Sequence, residues 1–66
     1  MLRNLLAEMA RKEISMKQLS SIAGINERTA YNKTREISRF TLDEALKIQK
    51  QLFPELDIKY LFKGEN

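Results

Sequence analysis

Residues 15–34 read SMKQLSSIAGINERTAYNKT, and this stretch decides the fold. The first half has apolar residues on one face of a helix, namely Met16, Leu19, Ile22 and Ala23. Ser15 is followed three residues later by Gln18, which predicts a capping box and a helix at about residues 15–23. Gly24 favours the left-handed backbone that ends helices, so we expect the chain to turn there.

A second helix is predicted directly after this turn, at about residues 26–34. Asn26 is a suitable N-cap, and Ile25 before it can pack on Ala30 as a hydrophobic staple. Two helices joined by so short a turn cannot lie in line, so we expect them to cross steeply. The second helix is mostly polar, and its surface must therefore serve something other than a core.

The flanking sequence predicts three more helices. A first helix ending near Lys12 has one apolar stripe, formed by Leu2, Leu5, Leu6, Met9 and Ala10. Thr41 and Glu44 predict a second capping box, and the helix that follows ends at Pro54. Its expected apolar face comprises Leu42, Ala45, Leu46, Ile48, Leu52 and Phe53. Asp57 then caps a short closing element.

Strands are not expected, because no alternation of apolar and polar residues persists along the chain. The prediction is therefore one all-α domain of about five short helices, covering residues 1–66. The closing element supplies apolar side chains, namely Ile58, Tyr60, Leu61 and Phe62. We expect these to complete the core or a homodimer interface, although an exposed patch for a protein partner is an alternative.

Composition excludes several classes of function. The chain contains neither Cys nor His, so we expect no disulfide framework, no metal site and no cofactor. No nucleophile and base pair is evident, so we expect no catalytic residues and no enzymatic activity. No run is long and apolar enough for a membrane span or a signal peptide, and we expect a cytoplasmic protein without a membrane partner.

The net charge of +3 is concentrated in the middle of the chain. Residues 15–41 contain five basic and two acidic side chains, whereas residues 42–66 contain four and five. A local basic surface can attract nucleic acid, although a solvated face is the more common explanation of so modest an excess taken alone.

The outward face of the helix predicted at residues 26–34, the third in the chain, carries the side chains best suited to base recognition. With Ala30 towards the core, Thr34 and Ile37 fall beside it, and Arg28, Asn32 and Arg35 fall opposite, flanked by Thr29 and Tyr31. Arginine matches the two major-groove acceptors of guanine, asparagine matches adenine, and a threonine methyl can touch thymine. Such a helix is suited to a groove of duplex DNA.

The order of these features resembles the lambda-repressor and Cro-like helix-turn-helix domains of phage and related small bacterial regulators. The matching positions run without gaps and comprise Leu19, Ser20, Gly24, Ile25, Asn26, Thr29, Thr41, Leu42 and Asp43. The resemblance covers essentially the whole chain. It implies a sequence-specific, DNA-binding transcriptional regulator that forms a homodimer, often carried by a phage or prophage, with its third helix in the major groove.

Together, the helical pattern and the resemblance predict two sets of contacts with an operator in double-stranded DNA. Candidate base-reading residues are Glu27, Arg28, Thr29, Tyr31 and Asn32. Candidate phosphate-binding residues are Lys17 and Gln18 at the start of the preceding helix, followed by Lys33, Arg35, Ser38 and Arg39. No small-molecule substrate is expected, because the chain has no room for a separate ligand domain.

Some positions depart from the family pattern. Ser20 replaces the usual Ala and must either bond a nearby carbonyl or accept some strain, and Ala30 is smaller than the usual Val or Ile. Lys33 stands where an apolar residue is common, although Thr34 can turn inward instead. The following loop lacks the usual Gly. A different class of function therefore stays open, in which the same fold is a small prophage module that binds a repressor or another protein.

Overall fold

The computed structural model describes residues 1–64 and has five helices and no strand in that range. The helices are α1 (Arg3–Arg11), α2 (Met16–Ala23), α3 (Glu27–Thr34), α4 (Leu42–Leu52) and α5 (Ile58–Leu61). The predicted all-α class and the five-helix order are confirmed. Within residues 1–64, no helix combines the length and the apolar character needed to cross a bilayer.

The core is a single cluster to which four helices and one turn contribute. Its fully buried side chains are Leu5 from α1, Leu19 from α2, Ile48 from α4, Phe53 after α4 and Leu61 from α5. Helix α2 is central, because it packs on both α3 and α4. Helix α3 adds only Ala30 and Thr34 to the buried interior, so most of its surface remains outside.

Side-chain caps begin α2, α3 and α4 at the predicted residues. The Ser15 hydroxyl accepts from the Gln18 backbone N–H at 3.1 Å, while the Gln18 side chain accepts from the Ser15 N–H at 2.8 Å. Thr41 and Glu44 form the same reciprocal pair at the start of α4. Asn26 caps α3 by accepting from the Thr29 N–H at 2.7 Å. These bonds satisfy helix N–H groups that have no partner inside the helix.

Within residues 1–64, three residues adopt the left-handed backbone, and the sequence predicted one of them. Gly24 has a φ of 75° and ends α2 as expected. Glu13 after α1 and Glu36 after α3 have φ values of 55° and 63°. At these two positions glutamate takes the conformation that glycine favours, which explains why the loop after α3 turns sharply without a glycine.

The expected apolar faces of α1 and α4 need two corrections. Ala10 is exposed, because it lies at the edge of the α1 stripe rather than beneath it. Leu42 is 71% exposed, because it is the first residue of α4, whose buried side chains begin only at Ala45. Glu8 is buried instead, where it accepts hydrogen bonds from the Tyr60 hydroxyl at 2.8 Å and from Arg11 at 2.9 Å.

The left-handed turn at Gly24 gives a prediction for stability. A Cβ atom at this position would meet nothing within 4 Å, so any penalty comes from backbone strain alone. We expect Gly24→Val to lower the free energy of unfolding by about 1–2 kcal/mol in urea denaturation. Gly24→Asn is the matched control and should lose less, since asparagine tolerates this backbone. Equal stability of Gly24→Val and the original chain would contradict the turn.

Candidate nucleic-acid interface

Helix α3 is held at both ends by polar contacts, and this arrangement fixes which face it presents. At its start, Asn26 caps the helix and Glu27 stands in the first turn, where an acid interacts favourably with the helix dipole. At its end, the Leu2 backbone N–H donates to the Thr34 carbonyl oxygen at 2.7 Å. Ala30 and Thr34 are buried, so the opposite side of the helix faces outward.

The predicted base-reading residues lie on or beside this outward face. Glu27 and Arg28 are exposed, Thr29 and Asn32 are half-buried, and Tyr31 is 48% exposed. Among residues 1–64, no hydrogen bond or ion pair engages the Arg28 guanidinium or the Asn32 amide. Both groups therefore keep their donors available for an external ligand.

Tyr31 supports a neighbouring cation rather than the core. The Arg35 guanidinium lies 5.4 Å from the centroid of the Tyr31 ring, within the range of a cation–π contact. Arg35 itself is exposed at the end of α3. The ring restricts the positions of Arg35 and directs its charge along the same surface as Arg28 and Asn32.

At the start of α2, Lys17 and Gln18 differ in what they offer. Lys17 is exposed and forms no ion pair with any residue that the structure describes. The side-chain oxygen of Gln18 accepts the Ser15 N–H in the capping box, so the side-chain NH₂ is the group that remains for a ligand. The predicted phosphate contact at this end therefore depends mainly on Lys17.

The Lys33 side chain is engaged within the protein. Its ammonium forms an ion pair with Glu44 at 2.7 Å and lies 5.9 Å from the centroid of the Phe40 ring. The two side chains are only 13% and 14% exposed. Lys33 therefore ties α3 to the start of α4, and the phosphate contact expected of it stays a prediction.

The pKa of the Glu44 carboxyl is lowered from its ordinary value of 4.5. Desolvation by burial alone would raise this pKa, but the hydrogen bond from Lys33, the backbone hydrogen bond from Thr41 and the charge of Lys33 together outweigh it. Sequence analysis identified Glu44 only as a helix cap. Its second role as a partner of α3 depends on residues eleven positions apart, which no local pattern reveals.

The loop after α3 holds the last predicted contacts. Glu36 is left-handed, and the Ile37 N–H donates back to the Asn32 carbonyl oxygen at 3.0 Å. This closure turns the chain away from the helix, so Ile37 is 71% exposed and the prediction that it packs beside Ala30 is wrong. Ser38 and Arg39 follow and are exposed, as a phosphate contact requires.

Two of the departures from the family pattern have local solutions. The Ser20 hydroxyl donates to the Lys17 carbonyl oxygen at 2.8 Å, which is one of the two outcomes that the sequence left open. Thr34 does turn inward, with 1% of its surface exposed, and its hydroxyl donates to the Tyr31 carbonyl oxygen at 2.7 Å. Both buried hydroxyls are thus satisfied inside their own helices.

Comparisons of the chain with protein-family models, with curated proteins and with solved structures found no match.

The Lys33–Glu44 pair gives a pH-dependent prediction. Since the folded-state pKa of Glu44 is lowered, the stability it contributes is present above about pH 4.5 and is lost as the pH falls through the folded value. We expect Lys33→Met to cost about 1 kcal/mol of unfolding free energy at pH 7, and much less near pH 2.5. Urea denaturation at both pH values measures this difference. Lys50→Met, at an exposed lysine, is the control and should show no such convergence.

Proposed function

We propose that this protein is a sequence-specific DNA-binding transcriptional regulator that acts in the cytoplasm, with α3 as its reading helix. The observation that carries the proposal is the outward face of α3, where the Arg28 and Asn32 side chains have no partner among residues 1–64. Helix α3 buries only Ala30 and Thr34 and leaves these donors to solvent, which suits a helix that enters a groove of duplex DNA. The likeness to lambda-repressor and Cro-like domains supports the same function.

The proposed contacts divide into those that read bases and those that set the register. Arg28 is placed to donate to guanine and Asn32 to pair with adenine, while Glu27, Thr29 and Tyr31 border them. Contacts with phosphates are assigned to Lys17, Gln18, Arg35, Ser38 and Arg39. Lys33 is left out of this set, because its ammonium is held by Glu44.

A homodimer is part of the proposal. Two copies related by a two-fold axis would place their α3 helices in successive major grooves, about 34 Å apart along the duplex. The operator would then be a palindrome or close to one.

The alternative, a protein-binding module that uses the C-terminal apolar residues, has less support. Leu61 is fully buried, and the Phe62 ring meets the Phe40 ring edge-on with centroids 5.4 Å apart. Tyr60 is 39% exposed, and its hydroxyl donates to Glu8. Leu61 and Tyr60 are therefore engaged within the protein, and only Ile58 and Phe62 of the patch border an open groove, so the C-terminal residues alone do not carry this alternative.

The decisive experiment is a selection of bound sequences from a random duplex pool, followed by anisotropy titrations at fixed salt. We expect one enriched palindromic sequence that binds at least about 10³-fold more tightly than random duplex. The double reversal Arg28→Glu with Arg35→Glu should abolish this binding. Lys47→Glu with Lys50→Glu makes the same charge change on the exposed side of α4 and should retain it. Affinity for every duplex alike would refute specific recognition.

Asn32→Ala provides a second prediction. We expect specific DNA affinity to fall by about 1–3 kcal/mol, because one base loses its hydrogen bonds, while the melting temperature changes little. Asn26→Ala is the contrasting variant: it removes the α3 cap and should lower the melting temperature. If Asn32→Ala bound the selected sequence as well as the original chain does, Asn32 would not read a base.

A further inference from the structure

A groove lies beside the loop that follows α3, on the side where the first turn of α4 and helix α5 meet. Its volume is about 540 Å³, and its apolar lining includes Phe40, Ala45, Ile58 and Phe62. This volume falls in the range of sites that hold ligands, about 300–1,000 Å³. The lining comes from separate parts of the chain, so no local sequence pattern predicts the groove.

Leu42 stands at the edge of this groove and is 71% exposed. It occupies the first turn of α4, where a polar residue would cap or solvate the helix equally well. Together with the apolar lining, Leu42 forms a surface that could bury more apolar area than it does in the isolated chain.

Once the ion pairs within the protein are set aside, the charged side chains that remain at the groove are both cations. Lys33 is neutralised by Glu44, and Glu36 accepts from the amino group of Met1 at 2.8 Å. The other two charged residues that line the groove are Arg39 and Lys59, and neither forms an ion pair within residues 1–64. The groove therefore joins an apolar lining to two cations that lack a counter-charge in the described chain.

We propose that this groove binds a segment of a partner protein that presents a large apolar side chain with carboxylates beside it. The apolar side chain enters between Leu42 and Phe62, and the carboxylates pair with Arg39 and Lys59. A second copy of this chain is a poorer occupant, because it would bring a molecule of net charge +3 against the same cations. The proposal goes beyond DNA recognition and does not depend on it.

The test begins with the intact protein and a display library of random peptides, without DNA. We expect the enriched peptides to combine an aromatic or large aliphatic residue with Asp or Glu. Fluorescence polarisation with one enriched peptide then compares two variants of equal charge. Arg39→Glu with Lys59→Glu should weaken binding at least about tenfold, whereas Lys47→Glu with Lys50→Glu should change it less than about twofold.

Two further measurements separate the groove from general charge attraction. Leu42→Ser should weaken peptide binding although all cations are retained, because the substitution removes apolar contact area. Amide chemical shifts of the unmodified protein should change on peptide addition around residues 38–42 and 58–62. This mapping also covers the case in which the charge-reversed variant does not fold, and Arg39→Gln with Lys59→Gln is the milder substitute.

Several results would overturn the proposal. One is enrichment of peptides without acidic residues, or no enrichment at all. Another is equal weakening by the two charge-reversed variants, which would indicate non-specific attraction. Shift changes confined to the exposed face of α3 would place the peptide elsewhere. Self-association that depends on Leu42 in sedimentation equilibrium would make a second copy the occupant. Loss of DNA recognition alone would leave the groove proposal standing.

Discussion

The left-handed backbone at Gly24 determines which way the candidate base-reading residues of α3 face. Helix α2 is fixed in the core by Leu19 and Ala23, and the chain reverses its course immediately afterwards. Had α2 continued, residues 27–34 would have extended it as one rod, with its polar side chains spread around the far end. Because it ends at Gly24, α3 packs back on α2 and buries one narrow side. The remaining side is exposed as a consequence of this turn.

A helix that must stay exposed cannot be held mainly by apolar burial, and α3 is held by polar ties instead. Asn26 caps its start, the Leu2 N–H donates to Thr34 at its end, and Lys33 pairs with Glu44. Each tie lies at an end or on the inner side, away from Arg28 and Asn32. The Lys33–Glu44 bond is charge-assisted, and bonds of that type fix orientation as well as adding stability. The ties thus position the candidate reading residues without covering them.

Features that depend on a few neighbouring residues could be predicted from the sequence, and those that depend on distant ones could not. The capping boxes, the Gly24 turn and the inward Thr34 follow from spacings of four residues or fewer, and all are present. The partner of Lys33 stands eleven residues away. The exposure of Ile37 depends on a left-handed Glu36, which the sequence does not signal because glutamate rarely takes that backbone. The groove beside Leu42 is likewise lined by residues that are distant in the sequence, so no local pattern predicts it.

Arg39 connects the two proposed surfaces of the molecule. It belongs to the loop after α3, where a phosphate contact is proposed, and it also lines the groove beside Leu42. One guanidinium can neutralise a phosphate or a carboxylate strongly, but a second anion in the same place is repelled by the first. If both ligands use Arg39, binding of each must lower affinity for the other by the same factor, since linkage between two sites is reciprocal. An acidic partner in the groove would then reduce DNA binding without contacting Arg28 or Asn32, and the size of that coupling would measure how much of the DNA affinity Arg39 contributes.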